Sequence, residues 1–170
     1  MSEINFEKIY DKYIDKIYRF VYVRVNSKEA AQDLSSETFT RSFEYFRKNP
    51  EKNVENVQAF LFRTASNLLT DFYRQKSRHD VSLNVGENNY AINAVVARDQ
   101  HAEISIANSE QAKKIIAVLQ DMESEQANVV MWYYVDDLPV REIAKITGRP
   151  EGTIRVMLHR GLNELRRLLL

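Results

Sequence analysis

Apolar residues recur three and four positions apart over most of this chain, and the pattern lapses only at a few polar stretches. Phe6, Ile9, Tyr10, Tyr13, Ile14, Ile17, Tyr18 and Val21 share one side of a helical wheel, so residues 5–25 predict a long amphipathic helix that Asn26-Ser27 interrupts. Ser27 can cap a second helix from Lys28 to about Lys48, because its hydroxyl can accept from an N–H group that a first turn leaves unpaired. Ala30, Ala31, Leu34, Thr38, Phe39, Phe43 and Phe46 are the expected inward side. The run NPEKNVEN, residues 49–56, is rich in Asn and contains Pro, which predicts a loop. A third helix follows from about Val57 to Lys76, with Phe60, Leu61, Ala65, Leu68, Leu69 and Phe72 inside.

From Ser77 to about Ser105 the periodicity fades into Asn, Gly and short apolar pieces, the composition of a linker. It resumes at Ile106 with one helix to about Leu119 and another from Ser124 to Val135, whose inward residues are Ala127, Val130, Met131 and Tyr134. The expected fold class is all-α: two small helical domains, residues 1–78 and 106–170, joined by a flexible linker at 79–105.

The last 32 residues are the most informative. Pro139 suits the first position of a helix through Val140, Ile143, Ala144 and Ile146. Thr147-Gly148 ends that helix, since Gly tolerates the left-handed conformation that turns the chain sharply, and Pro150 opens the next. In the final helix Ile154, Leu158, Leu162, Leu165 and Leu169 form a packing stripe, while Arg155, Val156, His159, Arg160, Asn163, Arg166 and Arg167 point away from it. A helix, a tight turn and a second helix with a basic outer face describe a helix-turn-helix that reads the major groove. A solvated helical hairpin in a bundle would share the periodicity but does not need the one-sided basicity.

Charge changes the picture more than composition does. The chain carries 24 Lys/Arg and 24 Asp/Glu, a net charge of zero, which at first argues against a nucleic-acid partner. The segment from Pro139 onward nevertheless has a balance of +4 and residues 63–79 one of +3, leaving −7 for the remainder. Two basic patches in an acidic chain can touch DNA twice while other surfaces meet something else. With no Cys, and with His79, His101 and His159 in three different elements, there is no metal-ligand spacing, and no Gly-rich phosphate loop or nucleophile elbow suggests an enzyme. No catalytic, metal or cofactor site is expected. Acids throughout the first 25 residues do not fit a leader peptide, and no apolar run reaches the roughly 18 residues of a membrane span. The expected location is cytoplasmic, with no membrane insertion.

Three segments then resemble a known family. AAQDLSSETFTRSFEYF (30–46) is similar to sigma region 2.2, AFLFRTASNLLTDFYRQKSR (59–78) to regions 2.3 and 2.4, and the C-terminal third to region 4.2. Their order resembles the extracytoplasmic function (ECF) sigma factors of the sigma-70 family, which keep only domains 2 and 4. The resemblance implies a transcription initiation factor that binds bacterial core RNA polymerase, directs it to promoters through −10 and −35 elements, and traps melted −10 DNA. It implies contact with the β′ coiled coil through Asp33, Leu34, Glu37, Thr38, Phe39 and Arg41, and with the β flap. The −10 residues would be Arg63, Asn67, Tyr73, Arg74, Lys76 and Arg78, a set combining the aromatic, amide and cationic groups that an unstacked strand requires. Phe60, Phe62 and Phe72 are read as core instead. The −35 residues would be Arg149, Glu151, Gly152, Thr153, Arg155, Val156, His159 and Arg160, with Arg155 and Arg160 placed for base contact. The chain departs from the family where Ser and Arg are common and it has Val156 and Met157, and where Met122-Glu123 replaces a frequent Leu-Pro. An anti-sigma partner is a further expectation of the resemblance.

Two rival readings share the helical pattern. A stand-alone helix-turn-helix regulator would use residues 1–78 for dimerisation and would not bind core polymerase. An all-helical interaction module would have no DNA affinity for salt to weaken.

Overall fold

A computed structural model describes residues 4–52, 54–78 and 110–169; the expected linker and the first residues of the helix expected from Ile106 lie outside the described residues. Among the described residues there are seven helices and no strand: α1 (Phe6–Val25), α2 (Lys28–Lys48), α3 (Val57–Arg78), α4 (Glu110–Asp121), α5 (Ser124–Tyr134), α6 (Val140–Thr147) and α7 (Glu151–Leu169). The chain divides into two compact units, Met1–Asp80 and Val81–Leu170.

The N-terminal unit is three helices closed by their caps. The Asn5 side chain accepts from the Lys8 N–H at 3.1 Å, Ser27 from Ala30 at 3.3 Å, and Asn56 from Ala59 at 2.9 Å. α1 ends at Asn26 in the left-handed conformation (φ +50°), which Asn tolerates better than most residues. Inside, Ile17, Phe20, Val21, Leu61 and Phe62 are fully buried, and the Phe20 and Phe62 rings meet edge to face at 5.5 Å. Each such side chain contributes roughly 1.5–3 kcal/mol of burial free energy.

α2 packs against both α1 and α3, and its inward side differs from a purely apolar expectation. Ser35 and Ser42 are buried beside Ala31 and Thr38, a stripe of small side chains. The Ser42 hydroxyl donates to the Thr38 carbonyl and the Thr38 hydroxyl to the Leu34 carbonyl, each at 2.7 Å, so two of these polar groups are satisfied within their own helix. Leu34 and Phe43, expected inside, are half-buried. Phe60 and Phe72 are likewise half-buried, with Phe60 lying 4.9 Å from the Tyr45 ring and 5.0 Å from Phe46.

In the C-terminal unit α7 lies against α4, α5 and α6. Val129, Met131, Trp132, Ile143 and Ile154 are its buried centre. The chain leaves α5 through Asp137 in the left-handed region (φ +53°), and Pro139 caps α6 from outside where the sequence suggested a first helical residue. Gly148 behaves as expected: it takes φ +71° and its N–H closes on the Ala144 carbonyl at 2.8 Å. A Cβ on buried Gly161 would come 2.5 Å from Val130 Cγ2, so only Gly lets α7 approach α5 this closely. Tyr134, expected inward, is 49% exposed. Beside it, Ile115, Leu119, Met131, Leu162 and Leu165 enclose an open apolar cavity of about 420 Å³. The half-buried lower part of the α7 leucine stripe faces that cavity instead of a closed core.

Candidate nucleic-acid interface

On α3 the sequence-predicted residues separate into two groups. Arg63, Asn67 and Arg74 recur at helical spacing and are exposed, so they form one stripe on the side away from the core. Thr70 completes that stripe; it is exposed and its hydroxyl donates to the Ser66 carbonyl. Its place three residues after Asn67 was the signal that the sequence offered. Lys76 lies on another side of the helix, with its ammonium 5.9 Å from the Phe72 ring centroid. The Arg78 side chain lies outside the described residues.

Tyr73 corrects an expectation. Rather than face a strand, it is half-buried and its hydroxyl donates to the Arg24 carbonyl in the last turn of α1, where helix carbonyls lack an internal partner. The Arg24 guanidinium lies 6.0 Å from the same ring and the residue is only 4% exposed. Burial pushes the Tyr73 phenol above its usual range and the Arg24 guanidinium below its own, each toward its neutral form. Tyr73 thus ties α3 to α1 one residue before Arg74. The buried Arg24 had no sequence signal, because a cation at a helix C-terminus ordinarily reads as exposed and dipole-paired.

On α2, Asp33, Glu37 and Arg41 stand one turn apart and form a polar ridge, with Arg41 Nε 2.6 Å from Glu37 Oε1 and both side chains about half exposed (56% and 45%). Half-buried Leu34 flanks the ridge. Thr38 and Phe39 do not share it: Thr38 is fully buried and Phe39 is 3% exposed, with its ring 4.9 Å from Tyr10, so both serve the packed side of the helix. Of those six residues, Asp33, Leu34, Glu37 and Arg41 are the ones that are exposed or half-buried.

α7 presents a layered face. Gly152, Val156, His159 and Asn163 recur at helical spacing as its middle row, and all are exposed. Arg155 flanks that row on one side and Arg160 on the other, while Thr153 is half-buried. Val156 is 48% exposed, which sets an aliphatic group in the centre of a polar surface. His159 and Asn163 lie 3.3 Å apart through Nε2 and Nδ2. Carboxylates hold several of the cations. Arg155 pairs with Glu151 at 3.2 Å, Lys145 with Glu142 at 3.5 Å, and Arg149 with Glu125 of α5 through two N–H groups, one of them at 2.8 Å. The hydrogen bond to Glu125, with its charge, pushes the Arg149 guanidinium above the usual arginine range. Glu125 was not anticipated, since a pair 24 residues apart leaves no periodic trace. Among the described residues no cluster of His, Asp and Glu could hold a metal ion, and no helix is long and apolar enough to cross a membrane.

A three-helix unit with a polar ridge and an amide-bearing cationic stripe is thus followed by a unit ending in a helix-turn-helix. Residues 9–79 match the family described as Sigma-70 region 2, and residues 112–165 match Sigma-70, region 4. The chain is 30% identical over 164 residues to the ECF RNA polymerase sigma factor BldN of Streptomyces coelicolor, an alignment covering 96% of this chain and 60% of BldN. It is 28% identical over 167 residues to the ECF RNA polymerase sigma factor SigW of Bacillus subtilis, covering 96% of this chain and 88% of SigW. The sigma factor RpoE of Bartonella quintana, crystallised with the anti-sigma factor NepR, shares the fold with a TM-score of 0.70 at 17% identity, covering 96% of each chain. This chain belongs to the ECF sigma factors of the sigma-70 family.

Proposed function

We propose that the protein is a non-enzymatic initiation subunit that binds core RNA polymerase and brings it to promoters carrying −10 and −35 elements. The observation that carries this reading is the coexistence, in one chain of zero net charge, of two exposed arginine-bearing helix faces on separate compact units. The boundaries are residues 1–78 for polymerase docking and −10 recognition, 79–105 for the connection, and 106–170 for −35 recognition. The protein would work in the cytoplasm, alongside polymerase.

In this reading Asp33, Glu37 and Arg41 set the register on the β′ coiled coil, because interface charges contribute specificity and association rate more than affinity. Asn67 offers an amide to an unstacked −10 base, while Arg63 and Arg74 follow the strand on the same stripe. On α7, Arg155 and Arg160 reach toward bases or the phosphates on either side of the groove, and Val156 can cover a thymine methyl but donates nothing. The exposed apolar cavity by Tyr134 gives the C-terminal unit a seat for an apolar helix, such as that of the β flap or of an anti-sigma factor.

The test is reconstitution. The protein should co-elute with core polymerase and confer run-off transcription. Asn67→Ala should reduce opening of the promoter, read by permanganate reactivity of −10 thymines, with little change in polymerase binding. Arg155→Ala should cost about 1–3 kcal/mol of discrimination at one −35 position. A protein that binds promoter DNA but not core polymerase would be the stand-alone regulator instead.

A further inference from the structure

We infer that Glu125 is a positioning residue for DNA contact: it holds the Arg149 guanidinium at the entrance to α7, so that this cation meets the DNA backbone already ordered. The inference rests on the reading of α7 as the −35 helix. Glu125 lies in the first turn of α5 and Arg149 in the turn between α6 and α7, 24 residues later. The carboxylate takes Nε and Nη2 together, a fork-to-fork geometry that fixes the plane of the guanidinium as well as its position. The backbone is fixed too. Arg149 sits between Gly148 at φ +71° and Pro150, and its N–H meets Thr147 Oγ1 at 3.3 Å.

The pair is held but not sealed. The Arg149 side chain is 46% exposed and that of Glu125 36%. Nη1 and the outer hydrogen of Nη2 remain able to donate. They stand beside the first turn of α7, where unpaired N–H groups and the helix dipole already favour phosphate. An arginine fixed in advance gives up less rotamer freedom on docking than one that must be captured from solution. The Arg155–Glu151 pair differs, because a single contact at 3.2 Å between residues i and i+4 arises on any helix that carries those residues.

A shielding role for Glu125 predicts the opposite sign, and this makes the test decisive. Binding of the full chain to a short duplex carrying the −35 element selected in transcription assays is followed by fluorescence anisotropy from about 50 to 200 mM salt. Glu125→Gln should weaken binding roughly three- to tenfold. Loss of a negative charge near DNA would by itself tighten binding, so a weakening cannot come from net charge. Arg149→Ala should weaken binding and lower the salt slope by about one. In the Arg149→Ala background, Glu125→Gln should no longer weaken binding, and loss of its charge should if anything tighten it, whereas the weakening from a merely structural role in α5 would persist there. Unchanged or tighter binding of Glu125→Gln overturns the inference while leaving the −35 reading intact. Failure of the wild-type chain to bind the duplex, or binding without salt dependence, takes down both.

Discussion

The two units hold several of their cations by different means. In the N-terminal unit three cations lie against rings, Arg24 over Tyr73, Lys76 over Phe72 and Lys52 over Tyr45, while Arg41 pairs with Glu37. In the C-terminal unit they pair with carboxylates: Arg149 with Glu125, Arg155 with Glu151 and Lys145 with Glu142. The N-terminal unit is rich in packed aromatic side chains, and Arg63 and Asn67 are exposed on α3. In the proposed reading, a unit that meets an intact groove gains from a cation held in place, as Glu125 holds Arg149. The difference also explains how a chain with zero net charge can approach DNA. The acids of the C-terminal unit orient the cations as well as dilute them.

The comparison breaks most easily in the cores. Phe62→Ala removes a fully buried ring and should destabilise the N-terminal unit by about 3–5 kcal/mol. Trp132 is the chain's only Trp and is buried in the other unit, so its fluorescence reports that unit alone. The far-UV transition should move to lower denaturant while the Trp132 transition stays in place; joint movement would mean that the units are not independent. Gly161→Ala should do the reverse. Pushing against stiff, buried Val130 costs roughly 1–3 kcal/mol, and the Trp132 transition should shift together with only that part of the far-UV change that α4–α7 supply. Tyr73→Phe keeps the ring and deletes the hydroxyl that holds the Arg24 carbonyl, a loss of about 0.5–1.5 kcal/mol visible in the far-UV transition. Smallest is Glu37→Gln. An exposed i to i+4 pair is worth about 0.3–0.5 kcal/mol, so stability should barely change while the affinity for core polymerase falls.

Much of this was legible in the sequence, for identifiable reasons. The helices followed from apolar spacing, and several of their ends from Ser27, Gly148 and Pro150, since caps and breakers act locally. The α7 face was readable because one helix carries it whole. What the sequence concealed depends on partners far along the chain. Nothing near Tyr73 in sequence showed that its hydroxyl donates to the Arg24 carbonyl, 49 residues earlier. Thr38 and Phe39 carried two expectations, inward by their period and docking by resemblance, and the packing of α2 agrees with the first. Ser35 and Ser42 read as polar until their small size put them in the core. Tyr134 carried the right period, but it stands at the edge of an open cavity, where burial stops.

The central claim, that each unit places its own surface on a separate stretch of one promoter, is tested most directly by run-off transcription with core polymerase on a randomised promoter library. Sequencing the templates that yield transcripts should return two conserved blocks at a fixed separation, near −10 and −35. Arg155→Ala should blur only the upstream block and Asn67→Ala should depress yield through the downstream one. Transcripts no more abundant than with core polymerase alone, or a single block sensitive to both substitutions, would contradict it.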